Sequence, residues 1–176
     1  MKKLIYFILL PGAIIALIIA ALERFSTYVP SMNIHTDAPV KTKKSIIIHA
    51  IPEKVWLIMT DVNNWAAWQS DIKNPRLDST FIPGNSFTWE SGGLHICSTI
   101  HTTEQFMKIG WSGPAFGSFA IHNWTFTQVS DGSTRVDVQE SMEGWLVTVL
   151  ARKFQSSLDT SLDHWLGALK VTAEKK

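Results

Sequence analysis

Two residues in the stretch AIHNWTFTQVSDGSTRVDVQESMEG, Ala120 to Gly144, are of types that carry acid–base chemistry: a histidine at 122 and a glutamate at 140. Each sits on a run of alternating polarity, and each falls on the apolar side of that alternation. Val136, Val138 and Met142 share a strand face with Glu140, while Arg135, Asp137, Gln139 and Glu143 share the other. Ala120, Trp124 and Phe126 share a face with His122. If the turn Ser130-Asp131-Gly132 pairs Val129 with Ser133, Trp124 meets Val138 and His122 meets Glu140. A register slip of one residue would carry the whole set to the opposite face.

A carboxylate facing an apolar space does not stay ionised and alone; it takes up a proton or a cation partners it. An imidazole directly opposite supplies that partner. Such a pair does one of two things. It transfers protons or anchors a ligand carbonyl or hydroxyl, or it fixes strand register and does nothing else.

The same parity places other residues beside the pair. Met107, Ile109 and Trp111 face inward, as do Phe87 with Trp89, and Ile96 with Ser98 and Ile100. The expected pocket therefore has Trp89, Ile100, Ile109, Trp111, Trp124, Val138 and Met142 as its walls. Its few polar groups are His122, Glu140 and Ser98. This composition suits a ligand with an apolar body and one polar handle. Eight tryptophans serve an aromatic core or a cavity walled with rings equally well. Trp65 and Trp68 could stand at the rim or pack beneath short helices.

Other patterns carry less. His95 and His101 are six residues apart on one strand, too far to share a metal, and no histidine pair has helical spacing around a glutamate. SDIK, Ser70 to Lys73, lacks the companion motifs of a Ser-x-x-Lys enzyme. There is no Gly-x-Ser-x-Gly and no P-loop. WSGPAFG, with Gly110, Gly113, Pro114 and Gly117, reads as a flexible mouth or a plain connection. Asn123-Trp124-Thr125 is a glycosylation sequon placed in a strand. Cys97 is alone, which excludes an internal disulfide and a cysteine-built metal site. No cofactor or metal is expected.

The elements that must position the pair follow from patterning. KKSIIIHA reads as a strand, Pro52 starts a helix over PEKVWLIMT, and Asp61 caps a second short helix over VNNWAAW. SFTWES, LHICSTIHTT, FMKIGWSG, SFAIHNWTFTQV and STRVDVQESM form an antiparallel meander. Leu146, Leu150, Phe154, Leu158, Leu162, Trp165 and Leu169 then recur every three or four residues, one apolar face of a helix reaching about Ala173. Only that helix is long enough to cover the sheet, so Phe154 and Leu158 join the expected pocket.

From Lys43 onward the chain carries 12 Lys+Arg against 13 Asp+Glu, with no basic block, which argues against a nucleic-acid partner. The N-terminus differs. Leu4 to Leu22 contains no charge and follows Lys2 and Lys3. As a helix it spans roughly 28 Å, about a hydrocarbon core. Its length and the weak Ala20-Ala21 cleavage site favour an uncleaved anchor over a cleaved signal. The lysines predict a single-pass membrane protein, N-terminus cytoplasmic and globular domain on the extracytoplasmic side. Residues 1–24 are thus an expected anchor, 25–42, with two prolines and no apolar period, an expected tether, and 43–176 the globular domain.

This order of elements resembles the helix-grip fold of the START and pollen-allergen superfamily, SRPBCC, and within it the polyketide cyclase/dehydrase and lipid-transport group. The resemblance is carried by IPEKVWLIMTDVNNWAAWQSDIK, by FTWESGG with STIHTTEQFMKIGWSGPAFGSFAIHNWTF, and by GSTRVDVQESMEGW. It implies an α+β fold, a curved antiparallel sheet wrapped on a long C-terminal helix; the N-terminal transmembrane helix expected here comes from the uncharged run Leu4 to Leu22 and is not a general feature of the group. It also implies a cavity for a small hydrophobic or lipid-like ligand. The superfamily includes cyclases, hydrolase-like enzymes, lipid carriers, receptors and chaperone activators. Three readings therefore stand: a membrane-tethered binder, a cyclase, dehydratase or hydrolase using His122 and Glu140, and a protein-interaction module.

Overall fold

The β-rich middle of the chain folds as its alternating polarity requires. In the computed structural model, which describes residues 2–129 and 132–175 (side chains of the first helix from Pro11 onward), seven strands form one antiparallel sheet. They are β1 (Val40–Ile48), β2 (Lys73–Arg76), β3 (Ser86–Ser91), β4 (Leu94–Glu104), β5 (Lys108–Ala115), β6 (Ser118–Gln128) and β7 (Thr134–Glu143). Their order across the sheet is β1-β7-β6-β5-β4-β3-β2. The β6–β7 register is the one counted from the turn: His122 lies opposite Glu140 and Trp124 opposite Val138, and Val129 N–H donates to the Ser133 carbonyl at 2.9 Å. Ser130 and Asp131 of that turn lie outside the described residues. The short β2, KNPR, has no alternation to announce it. Its proline is tolerated because it is an edge strand.

The helices are α1 (Lys2–Phe25), α2 (Pro52–Thr60), α3 (Trp145–Val149) and α4 (Ala151–Ala173). Pro52 opens α2 as expected. The second short helix is a tighter 3-10 segment, Val62–Ala67. Asp61 does not cap it through a backbone N–H; its carboxylate accepts from the Asn64 side chain at 2.6 Å. The single long C-terminal helix is in fact two. After the short α3 the chain breaks helical geometry at Leu150 (φ −114°, ψ 30°) before α4 begins. The run Val147-Thr148-Val149 is β-branched and helix-poor, and Leu146 N–H is held by the Gly117 carbonyl at 3.0 Å, so α3 stays with the sheet end. Of the expected stripe, Leu158, Leu162, Trp165 and Leu169 are buried, Leu146 and Phe154 are half-buried, and Leu150 is exposed.

Polar bonds zip α4 along the free edge of β1. Thr42 Oγ1 donates to Asp159, Lys44 Nζ lies 2.6 Å from Asp163, His49 N–H donates to Glu174 at 2.8 Å, and Lys170 Nζ donates to the Ile47 carbonyl at 2.7 Å. On its other side α4 is held by His164 Nδ1, 2.7 Å from Asp71. The helix thus grips the sheet from two sides and leaves room between them at one end.

The segment expected as a loose tether is packed. Tyr28 stacks on Phe119 (5.3 Å between centroids, 11°), Asn123 Nδ2 donates to the Met32 carbonyl at 3.0 Å, and His35 N–H donates to Ser141 Oγ at 3.1 Å. This strap covers the outer face of β6, which is why Phe119 and Ile121 are buried on the face opposite His122. Val40, already fully buried, begins β1 three residues before Lys43. Among the described residues no helix is long and apolar enough to cross a membrane. The expected span over Leu4 to Leu22 therefore rests on sequence alone.

Candidate functional site

His122 and Glu140 meet on neighbouring strands, His122 Nδ1 lying 2.8 Å from Glu140 Oε2, and both side chains are more than nine-tenths buried. Aromatic packing fixes the imidazole. Trp111 on β5 stacks on it (5.1 Å, 21°), and Trp89 on β3 meets it edge to face (6.1 Å, 68°). Trp89 is itself held, its indole N–H donating to Ser98 Oγ at 3.0 Å. With Nδ1 engaged by the carboxylate, the free edge of the ring is Nε2.

The pair stands in the wall of a cavity of about 180 Å³ between the sheet and α4. Of the residues expected there, Trp89, Trp111, His122, Trp124, Glu140, Met142, Phe154 and Leu158 line it. Ser98, Ile100, Ile109 and Val138 do not. They are buried, but Ser98 is turned to Trp89 and the three aliphatics belong to the packed core. Met107, also expected inside, is exposed at the β4–β5 turn, before β5 establishes its alternation.

The even choice between ring-walled cavity and aromatic core resolves as both at once. Trp65 is a core residue and not a rim residue. It is fully buried, meets Phe87, Trp89, Trp111 and Trp165 within 6.1 Å, and donates its indole N–H to the Met59 carbonyl at 3.0 Å. Trp68 packs edge to face on Trp165. This cluster fills the α2 end of the space and confines the cavity to the other end. The indole N–H groups of Trp111 and Trp124 are buried without a hydrogen-bond partner among the described residues. Each such donor costs about 1–3 kcal/mol.

WSGPAFG is both wall and turn. Gly113 and Ala115 line the cavity, and Phe116-Gly117 connects β5 to β6. A Cβ on Gly113 would lie 2.1 Å from the Cys97 carbonyl oxygen, so only glycine lets β5 approach β4 there. Gly117 has φ 65°, and a Cβ on it would lie 2.6 Å from Leu146 Cβ, so α3 can sit directly on this turn.

Sequence reasoning missed the hydroxyl groups. Ser91, Gly92, Ser157 and Ser161 line the cavity and also a polar groove running outward past Ser70, Asp71, Lys73, Glu90, Ser156 and Thr160. The signal was present: Ser156-Ser157 and Thr160-Ser161 repeat at helical spacing beside the Leu158–Leu162 stripe. His95 is exposed and His101 half-buried on the outer side of the sheet. Burial pushes the His101 imidazole below its ordinary value, toward the neutral form.

The comparisons with known proteins agree with this geometry. Residues 39–166 match the family described as polyketide cyclase/dehydrase and lipid transport. No curated protein matches the sequence. A hypothetical protein from Helicobacter pylori is similar in structure, with TM-score 0.72 and 18% identity over 85% of this chain and 99% of that one. A START superfamily protein from Mycobacterium smegmatis gives 0.67 at 15% identity, over 76% of this chain and 97% of that one. The di-domain aromatase/cyclase StfQ of steffimycin biosynthesis gives 0.62 at 17% identity, over 76% of this chain but only 44% of that one. At such identities the solved structures speak for the fold alone. The family match covers most of the chain, and the chain belongs to the polyketide cyclase/dehydrase and lipid-transport family.

Proposed function

We propose that this chain binds a small amphiphile, its apolar end in the cavity between sheet and α4 and its polar part toward the hydroxyl-lined groove. The observation that carries the reading is the cavity itself: an aromatic and aliphatic wall into which the hydrogen-bonded pair His122 and Glu140 is set. Its volume of about 180 Å³ is below the roughly 300–1,000 Å³ of sites that enclose a drug-sized ligand. A single ring or the end of an acyl chain fits, and the rest of the molecule lies along Ser91, Ser157 and Ser161. Trp89, Trp111, Trp124, Met142, Phe154 and Leu158 supply the apolar contacts, and His122 Nε2 meets the polar handle.

The domain is held at a membrane by the N-terminal helix, with Lys2 and Lys3 on the cytoplasmic side and the cavity outside. The uncharged run Leu4 to Leu22, flanked by Lys2 and Lys3, supports this.

Four tryptophans in the wall make intrinsic fluorescence the direct test. Titrating the full chain in detergent with oleate or 1-naphthol should give a saturable change in tryptophan emission, abolished when Ala120 in the wall becomes Phe. No saturable change with either probe overturns the reading.

The His122–Glu140 contact also favours an enzymatic reading, a cyclase, dehydratase or hydrolase in which Nε2 moves a proton and the carboxylate holds the ring. An enzyme would lose turnover in Glu140→Gln and His122→Ala while remaining folded. A binder would keep its affinity in Glu140→Gln.

A further inference from the structure

Glu23 is a carboxylate placed one residue beyond the uncharged run Leu4 to Leu22, and it is not free. Its Oε2 accepts two hydrogen bonds from the globular domain, from Gly117 N–H at 2.9 Å and from Trp145 Nε1 at 3.0 Å. One oxygen thereby ties the end of α1 to the β5–β6 turn and to α3. Charge-assisted bonds of this kind are the stronger class. The strap from Tyr28 to His35, packed on β6 and β7, holds the same end a second time.

What surrounds this clasp is apolar and uncovered. Phe116, Val149 and Leu150 are 46%, 74% and 39% exposed, and Phe25 and Val29 beside them are 79% and 68% exposed. Such a group at one end of a small domain marks an interaction surface. The charges around it are basic: Arg24, Arg152 and Lys153 are exposed there. The nearby acids are engaged, Glu23 in the clasp and Glu143 with His35 at 3.1 Å. The surface is continuous with the site. Phe116 lies between the lining residues Ala115 and Ser118, and Leu150 is one turn before the lining Phe154.

We propose that this rim is seated in the surface of an anionic phospholipid bilayer, and that Glu23 is the positioning residue that sets the cavity mouth there. The inference rests on the anchoring role of α1 given above. Apolar side chains ringed by basic ones match the interface between acyl chains and anionic headgroups. An apolar ligand then enters from the lipid without crossing water, and the clasp makes the orientation fixed instead of one pose of a tumbling domain.

Nitroxide labels in the full chain, with Cys97→Ser as background, test this in vesicles of phosphatidylcholine with phosphatidylglycerol. Labels go at Ile15→Cys, Phe116→Cys, Val149→Cys and, at the far end of α4, Val171→Cys. The quantity read is accessibility to oxygen against a water-soluble nickel chelate. Positions 15, 116 and 149 should read as lipid and 171 as water. Glu23→Ala should move 116 and 149 several-fold toward the aqueous value and leave 15 unchanged. If 15 reads as lipid while 116 and 149 read as water, the seating is wrong and the anchor stands. If 15 reads as water, the anchor is wrong and the seating falls with it. An unchanged 116 and 149 in Glu23→Ala removes the role assigned to Glu23.

Discussion

The indole of Trp111 lies flat against the imidazole of His122, centroids 5.1 Å apart and planes 21° from parallel. Because Trp111 also lines the cavity, one ring both walls the site and orients its polar group. Aromatic pairs contribute about 0.5–1.5 kcal/mol beyond burial. Trp111→Phe keeps a ring on the imidazole and should retain affinity for an amphiphile with a hydrogen-bonding head. Trp111→Leu should weaken it by up to about tenfold. Isothermal titration of the two variants checks this, and equal affinities would show that the stacking does not position His122.

The contact between His122 and Glu140 predicts a non-additive pair. Removing one partner leaves the other buried and uncompensated, a loss of about 3–5 kcal/mol for His122→Ala or Glu140→Ala. The double variant His122→Leu/Glu140→Leu should cost far less than the sum. Urea unfolding of the three variants measures the coupling, and additive losses would mean that the pair is not formed in solution.

At Gly113 β5 comes close against the backbone of β4. A methyl group there meets backbone, the Cys97 carbonyl oxygen and Ser98 Cα, which cannot rotate away. Gly113→Ala should lower stability by about 1–3 kcal/mol. The wall beside Trp89 should also open, which quenching of tryptophan emission by acrylamide would report as increased access. A variant as stable and as shielded as the natural sequence would show that the strands are not so tightly apposed.

The grip of α4 on β1 carries a pH dependence. Thr42 Oγ1 donating to Asp159, helped by Gln155, holds that carboxyl below its ordinary value. The unfolded chain therefore binds the proton first on acidification. The contribution to stability is present above the ordinary carboxylate range and is lost as pH falls through the lowered value. Thermal unfolding at about pH 7 and pH 3 should show a fall in Tm that is smaller in Thr42→Val. An identical fall in both would place the acid sensitivity elsewhere.

The faces of the sheet were legible because alternation sets them residue by residue. A three-residue turn then placed His122 opposite Glu140 with no further information. What patterning could not supply was depth. Val138 and Ile109 share parity with Trp124 and Trp111, yet the first two lie wholly within the packed core while the second two also border the cavity. That division depends on what packs against each residue from other elements, which no strand pattern records. The break at Leu150 was hidden for a related reason. The apolar stripe runs through it without interruption, while the bond from Leu146 N–H to Gly117 comes from a turn far away in sequence. The groove residues escaped notice because serine and threonine on a helix carry no periodic apolar signal of their own.

Native mass spectrometry of the full chain purified in detergent tests the central claim most directly, with Ala120→Phe as the comparison. Ala120 lines the cavity, so a ring there should occupy the site, and circular dichroism of the variant checks that the fold is kept. The natural sequence should retain an adduct of small-molecule mass that dissociates on collisional activation, and Ala120→Phe should be recovered without it. An adduct-free natural protein, or the same adduct on both, would contradict a ligand held between the sheet and α4.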